Sequence, residues 1–104
     1  MSQEIRIKSF IRTARAALGW SQRDLARNSG VSLVAIARLE SGTASPRLST
    51  VSKLKDALSS AGVRVLDDQP EGGYTLMVSA GAVDEFIAQQ EIRGADAGDD
   101  DLRE

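Results

Sequence analysis

The sequence predicts a mainly α-helical fold, a bundle of four to five helices with a short β-hairpin and a further helix at the C-terminal end. Three observations predict it. Apolar residues recur at helical intervals from Ile7 to Leu58, the period switches to alternation after Gly62, and serine or glycine punctuates the changes of pattern. The 104-residue length leaves room for one domain and an appendage. With 41% apolar residues but only four aromatic ones (Phe10, Trp20, Tyr74 and Phe86), the core has to be mostly aliphatic.

The first helix is expected over roughly residues 4–18, where Ile7, Ile11, Ala14 and Leu18 fall on one stripe and Arg6, Lys8, Arg12 and Arg15 on the others. Gly19 stops it. Ser21, with Asp24 three residues later, reads as the cap of a second helix from Gln22 to Asn28. Ser29-Gly30-Val31-Ser32 then makes a sharp turn, and Ser32 caps a third helix over Leu33–Glu40 with Ile36 and Leu39 facing inward. Ser41-Gly42 ends that helix, and Thr43-Ala44-Ser45-Pro46 is a loop, because the residue before proline is pushed toward extended geometry. The fourth helix starts near Pro46 or Arg47, with Leu48, Val51, Leu54 and Leu58 as its buried stripe, and stops at Gly62.

Beyond Gly62 the pattern predicts two strands, Val63–Asp67 and Tyr74–Val78, joined by a loop over 68–73 with Pro70 and Gly72-Gly73. An isolated hairpin is marginal in water, so these strands have to pack on the helices or on another chain. Val83, Phe86, Ile87 and Gln90 share one side of a last helix over 82–92, opposite Asp84, Glu85 and Glu91. From residue 94 onward Ala, Gly and Asp dominate, and the expectation is a disordered acidic tail over 94–104. Three units follow: 1–62, helical; 63–93, hairpin plus helix; and 94–104, the tail.

The net charge of −2 conceals a division along the chain. Residues 1–60 carry a net +6 and residues 61–104 a net −8. A basic first half joined to an acidic second half is the balance expected of a small nucleic-acid-binding domain with a different kind of tail. There is no Cys and no His, which removes disulfides, thiolates, imidazole bases and the usual soft zinc ligands. Asp67, Asp68 and Glu71, or Asp96 and Asp99 to Asp101, lack the regular ligand register of a calcium loop. No enzyme, no metal and no cofactor are expected. The N-terminus lacks the apolar segment of a secretory signal, and no run approaches the roughly 18–20 apolar residues of a membrane span, so a cytoplasmic location is expected.

Residues 7–62 resemble the lambda-repressor-like helix-turn-helix family, also called the XRE or Cro/C1 type of bacterial and phage regulators. The resemblance is carried by Ile11, Arg12, Arg15, Leu18, Gly19, Ser21 and Gln22, then by Leu25, Ala26, Ser29, Gly30, Val31, Ser32 and Ile36. Leu39, Glu40, Gly42, Pro46, Leu54, Ala57, Leu58 and Gly62 complete it. It covers a little over half of the chain, and its spacing from Gln22 to Gly42 is specific. The fold it implies is a lambda-repressor-like bundle, and the function is a sequence-specific DNA-binding transcriptional regulator, a dimeric repressor.

The resemblance also supplies roles. Gln22 would bond a phosphate at the start of the second helix, and the third helix, 32–40, would enter the major groove with Ser32, Leu33, Val34, Ala37 and Arg38 nearest the bases. Related phage repressors often have amides where Leu33 and Val34 stand, which points here to apolar contact with a thymine methyl and to Arg38 as a bidentate donor to guanine. Leu33 can instead pack against a neighbouring element. Arg12, Arg15, Arg23, Arg27, Arg47 and Lys53 are candidates for phosphate contacts, which position the protein without reading sequence. Glu40 matches a structural glutamate and calls for a basic partner, Arg12 or Arg15. Trp20 fills space beside the first helix.

A homodimer on a two-fold operator is expected, with either the strand carrying Tyr74, Leu76 and Val78 or the face of Val83, Phe86 and Ile87 at the interface. The alternative function is an antitoxin of a type II toxin–antitoxin module that autoregulates by binding DNA, with a cognate toxin on the C-terminal unit. A purely protein-binding module is a third class, and the basic charge of the first half argues against it.

Overall fold

The computed structural model describes residues 2–103, with side chains described through residue 92. The order is α1 (Gln3–Leu18), α2 (Gln22–Ser29), α3 (Leu33–Ser41), α4 (Leu48–Ser60), β1 (Val63–Asp67), β2 (Tyr74–Val78) and α5 (Ala80–Arg103). The mainly helical bundle with a C-terminal hairpin is therefore the observed fold. α5 runs beyond the expected 82–92, and its backbone is helical through most of the segment anticipated as a disordered tail. The side chains of that segment lie outside the described residues.

The caps explain the helix boundaries. Ser2, Ser21 and Ser32 each accept a backbone N–H from the first turn of the following helix, which satisfies donors that a helix start leaves open. Arg47 precedes α4 without a side-chain cap. The core lies between the four helices, with α1 and α4 also packing on β1. Phe10, Ile11, Leu25, Ile36, Leu54, Leu58 and Val63 are its largest fully buried side chains. Leu48 departs from the expected buried stripe of the fourth helix, because it occupies the first position of α4 and is 86% exposed, while Val51, Leu54, Ala57 and Leu58 carry the packing.

The strands form an antiparallel pair in which Val63 faces Val78, Val65 faces Leu76 and Asp67 faces Tyr74. Alternation turns Val63 and Val65 into the core and leaves Arg64, Thr75 and Met77 outside. The hairpin is fastened to α1 at its far end. The Tyr74 ring meets Phe10 edge-on at 5.8 Å, and its hydroxyl lies 2.7 Å from Ser9 Oγ and 3.3 Å from Thr13 Oγ1. Arg6 pairs with Asp67, and that hydrogen bond raises the arginine pKa above its ordinary value, opposed by desolvation.

Gly62 lies at the junction between α4 and β1. Its φ of +104° is a conformation side chains rarely adopt, and a Cβ there would stand 2.3 Å from Ser79 Oγ and 2.9 Å from Ala82 Cβ. The close approach has a purpose, since Gly62 O accepts from Ser79 N at 2.8 Å and brings the start of α5 onto the end of α4.

Candidate nucleic-acid interface

Local chemistry sets the α2–α3 pair before any long-range contact does. Ser21 Oγ accepts from Asp24 N at 3.0 Å while the Asp24 carboxylate accepts from Ser21 N at 2.9 Å, a reciprocal cap that starts α2. Gly30 ends α2 in the left-handed conformation, Val31 is buried in the turn, and Ser32 Oγ accepts from Ala35 N at 3.1 Å to start α3. Two helix N-termini, each with a positive dipole end, are thereby oriented by their own caps.

Tertiary contacts then select the face of α3 that stays outside. Ile36 and Leu39 enter the core, and Glu40 is only 6% exposed. Arg15 Nε donates to one Glu40 oxygen at 2.9 Å and Nη2 to the other at 2.7 Å, and Nη1 donates to the Trp20 carbonyl at 2.8 Å. Of the two partners open from sequence, the structure selects Arg15. One side chain thus ties together α1, the α1–α2 turn and α3, and the carboxylate of α3 is neutralised inside the fold.

What remains outward on α3 is a narrow stripe. Ser32, Val34, Arg38 and Ser41 are exposed, while Leu33 and Ala37 are half-buried at its edge. Val34 is 58% exposed. Arg38 has no ion pair among the described residues. The carbonyl of Arg38 accepts from Thr43 N at 3.0 Å and from Ser41 Oγ at 3.1 Å, which closes the last turn of α3. Ser41 is a candidate that the sequence reading left out, although the spacing of Val34, Arg38 and Ser41, four and then three residues, places them on one face.

Of the other expected DNA-contacting residues, Gln22 is half-buried at the start of α2, Arg23 and Arg27 are exposed on α2, and Arg47 is exposed before α4. Three more of the expected phosphate-contacting residues have other neighbours, Arg15 being engaged with Glu40. Arg12 lines a groove on the outer face of α1 with Ile5, Lys8, Ser9, Thr13 and Ala16, and Lys53 lines another between α2 and α4 with Trp20 and Asn28.

The residues expected at a dimer interface divide as well. Tyr74 and Leu76 are half-buried against the core, and Phe86 packs beside Gly19. Val78, Val83 and Ile87 stay outside together with Met77 and Ile92. Among the described residues no group of three or more His, Cys, Asp or Glu could hold a metal ion, and no helix is long and apolar enough to cross a membrane.

Comparison with known proteins gives one positive result. A helix-turn-helix family model matches residues 11–60, the span from the middle of α1 to the end of α4. Searches of curated proteins and of solved structures each returned no match. Domains of this family are DNA-binding regulatory modules rather than catalysts, and the match supports a general DNA-binding transcriptional-regulator function. Residues 11–60 are accordingly a helix-turn-helix domain of the XRE/Cro-CI type.

Proposed function

We propose that the chain is a dimeric repressor that reads an operator through α3 in the major groove. The observation that carries this reading is the outward stripe of Val34, Arg38 and Ser41 on a helix whose acidic residue is already held by Arg15. With the carboxylate withdrawn, nothing on this face repels phosphate. Arg38 donates to O6 and N7 of a guanine, and Val34, one turn earlier, meets a thymine methyl. Leu33 and Ala37 support the edge of the stripe, and Ser32 offers its position at the helix start to base or phosphate. Gln22, Arg23, Arg27 and Arg47 supply the phosphate contacts that fix register.

Selection of bound sequences from a random duplex pool by the purified chain tests the reading, followed by base scanning of the recovered site at several salt concentrations. The expected result is an inverted repeat with a guanine in each half-site, with affinity falling steeply as salt rises. Recovery of no motif, or an affinity indifferent to salt, overturns it.

The exposed apolar residues of the C-terminal unit favour a protein partner there, and its identity separates two versions of the regulator. A second copy makes a dimeric repressor, and a toxin protein makes an autoregulating antitoxin. Purification of the chain expressed with its neighbouring reading frames distinguishes them by the composition of the complex.

A further inference from the structure

Two helix faces point away from the body of the protein. The outer face of α1 presents Ile5, Ser9, Arg12 and Ala16, spaced four, three and four residues apart, with Lys8 beside them. This face lies opposite the buried stripe of Ile7, Phe10, Ile11, Ala14 and Leu18, and Ile5 is 58% exposed. Tyr74 OH reaches Ser9 and Thr13 at its margin and holds the hairpin alongside. The outer face of α5 presents Val83, Ile87 and Gln90, spaced four and three, with Val83 44% and Ile87 48% exposed. Ala82 and Phe86 of the same helix face the body, near Gly62 and Gly19.

We propose that a second copy of this chain covers both faces at once, α5 of one protomer lying along the outer face of α1 of its partner and the two-fold axis repeating the contact. The proposal rests on the dimeric reading above and deepens it by naming the surfaces. Matching four-three spacings let the ridges of one helix enter the grooves of the other, and the small Ser9 and Ala16 permit close approach. Charge decides among the pairings. Residues 80–92 contain Asp84, Glu85 and Glu91 but no Lys or Arg, so α5 against a second α5 opposes acid to acid. α1 against a second α1 opposes Lys8 and Arg12 to themselves. The cross-pairing sets Lys8 and Arg12 against Asp84 and Glu91, and so combines apolar contact with opposite sign. Each of the two symmetric contacts also covers Ile5, Val83 and Ile87, which a monomer leaves in water.

The chain has no cysteine, so single engineered thiols report proximity in the full-length protein. Ser9→Cys and Ile87→Cys chains, one carrying a size tag, are mixed, oxidised and separated without reductant. The proposal expects the mixed disulfide to dominate over either self-linked species. Self-linked Ile87→Cys as the main product, or self-linked Ser9→Cys, overturns it, and so does a wild-type chain that sediments as a monomer. In sedimentation without DNA, Lys8→Glu is expected to weaken self-association about tenfold, and Glu91→Lys in the same chain to restore it. No restoration overturns the pairing. Both residues are at the surface, and a thermal melt followed by circular dichroism confirms that each variant is folded. The two failures are distinguishable: a wild-type monomer overturns the dimeric reading together with this pairing, whereas a dimer that gives self-linked disulfides overturns the α1–α5 pairing alone. Because no DNA is present, failure to recover an operator leaves these results unchanged.

Discussion

α3 and α5 are both amphipathic helices that leave apolar side chains in water, yet they are held in opposite ways. α3 has nine residues, of which Ile36, Leu39 and Glu40 are buried, and Arg15 grips the last of these with two hydrogen bonds. α5 has 24 residues, and among its described side chains only Ala82 is buried. A short helix pinned on its inner side presents its outer side in one orientation, which is what a groove reader needs, because base contacts are lost when donor geometry wanders. A long helix attached near its start keeps a free face, which is what a partner needs. The exposure of Val34 and the exposure of Ile87 look alike as fractions, 58% and 48%, and differ in what surrounds them. One stands beside Arg38, which has no ion pair among the described residues, and the other beside carboxylates.

The contrast can be broken most severely at the grip on α3. Glu40→Ala leaves the Arg15 guanidinium partly buried without its carboxylate and is expected to cost about 4 kcal/mol, read from urea denaturation. DNA binding should fall with it, whereas a stability loss under about 1 kcal/mol would show that the pair does not hold the helix. Gly62→Val attacks the attachment of α5. Strain at positive φ and the collision with Ser79 and Ala82 together should cost about 3 kcal/mol, visible as an earlier unfolding of the C-terminal unit in hydrogen exchange.

Arg38→Ala sharpens the comparison without touching the packing. Its urea midpoint should match that of the wild type, while discrimination for the guanine of the half-site falls by about 1–3 kcal/mol in competition titrations. Arg47→Ala should lower affinity on all sequences alike and reduce the salt slope by about one phosphate contact. The smallest effect is expected from Tyr74→Phe, which keeps the ring against Phe10 and removes the hydroxyl bonded to Ser9. A loss of about 1 kcal/mol with DNA affinity unchanged would place this tyrosine in the fastening of the hairpin.

Much of the helical unit was legible because its signals are local. Ser21 with Asp24, and Ser32 before Leu33, mark helix starts through bonds made within three residues, and the caps appear as expected. The strands Val63–Asp67 and Tyr74–Val78 were equally legible, since alternation and the Gly72-Gly73 loop are local too. Leu48 was misplaced for a physical reason. Helical periodicity says which residues share a face but not how far the neighbouring helices extend along it, and the first turn of α4 passes beyond them. The same limitation applied at Glu40, where Arg12 and Arg15 on α1 were equivalent candidates from sequence. Only the packing of α1 against α3 brings Arg15 into bidentate contact with Glu40, while Arg12 lines a groove with Ile5, Lys8 and Ser9.

The sequence by itself determined the element order, the caps, the aliphatic core and the division into a basic half and an acidic half, because each depends on neighbours along the chain or on composition. Tertiary structure decided which arginine neutralises Glu40, which apolar residues remain outside on α5, and that Tyr74 and Leu76 turn inward. Those outcomes depend on the angles and separations at which elements pack, and these arise from side chains far apart in the chain meeting in one volume.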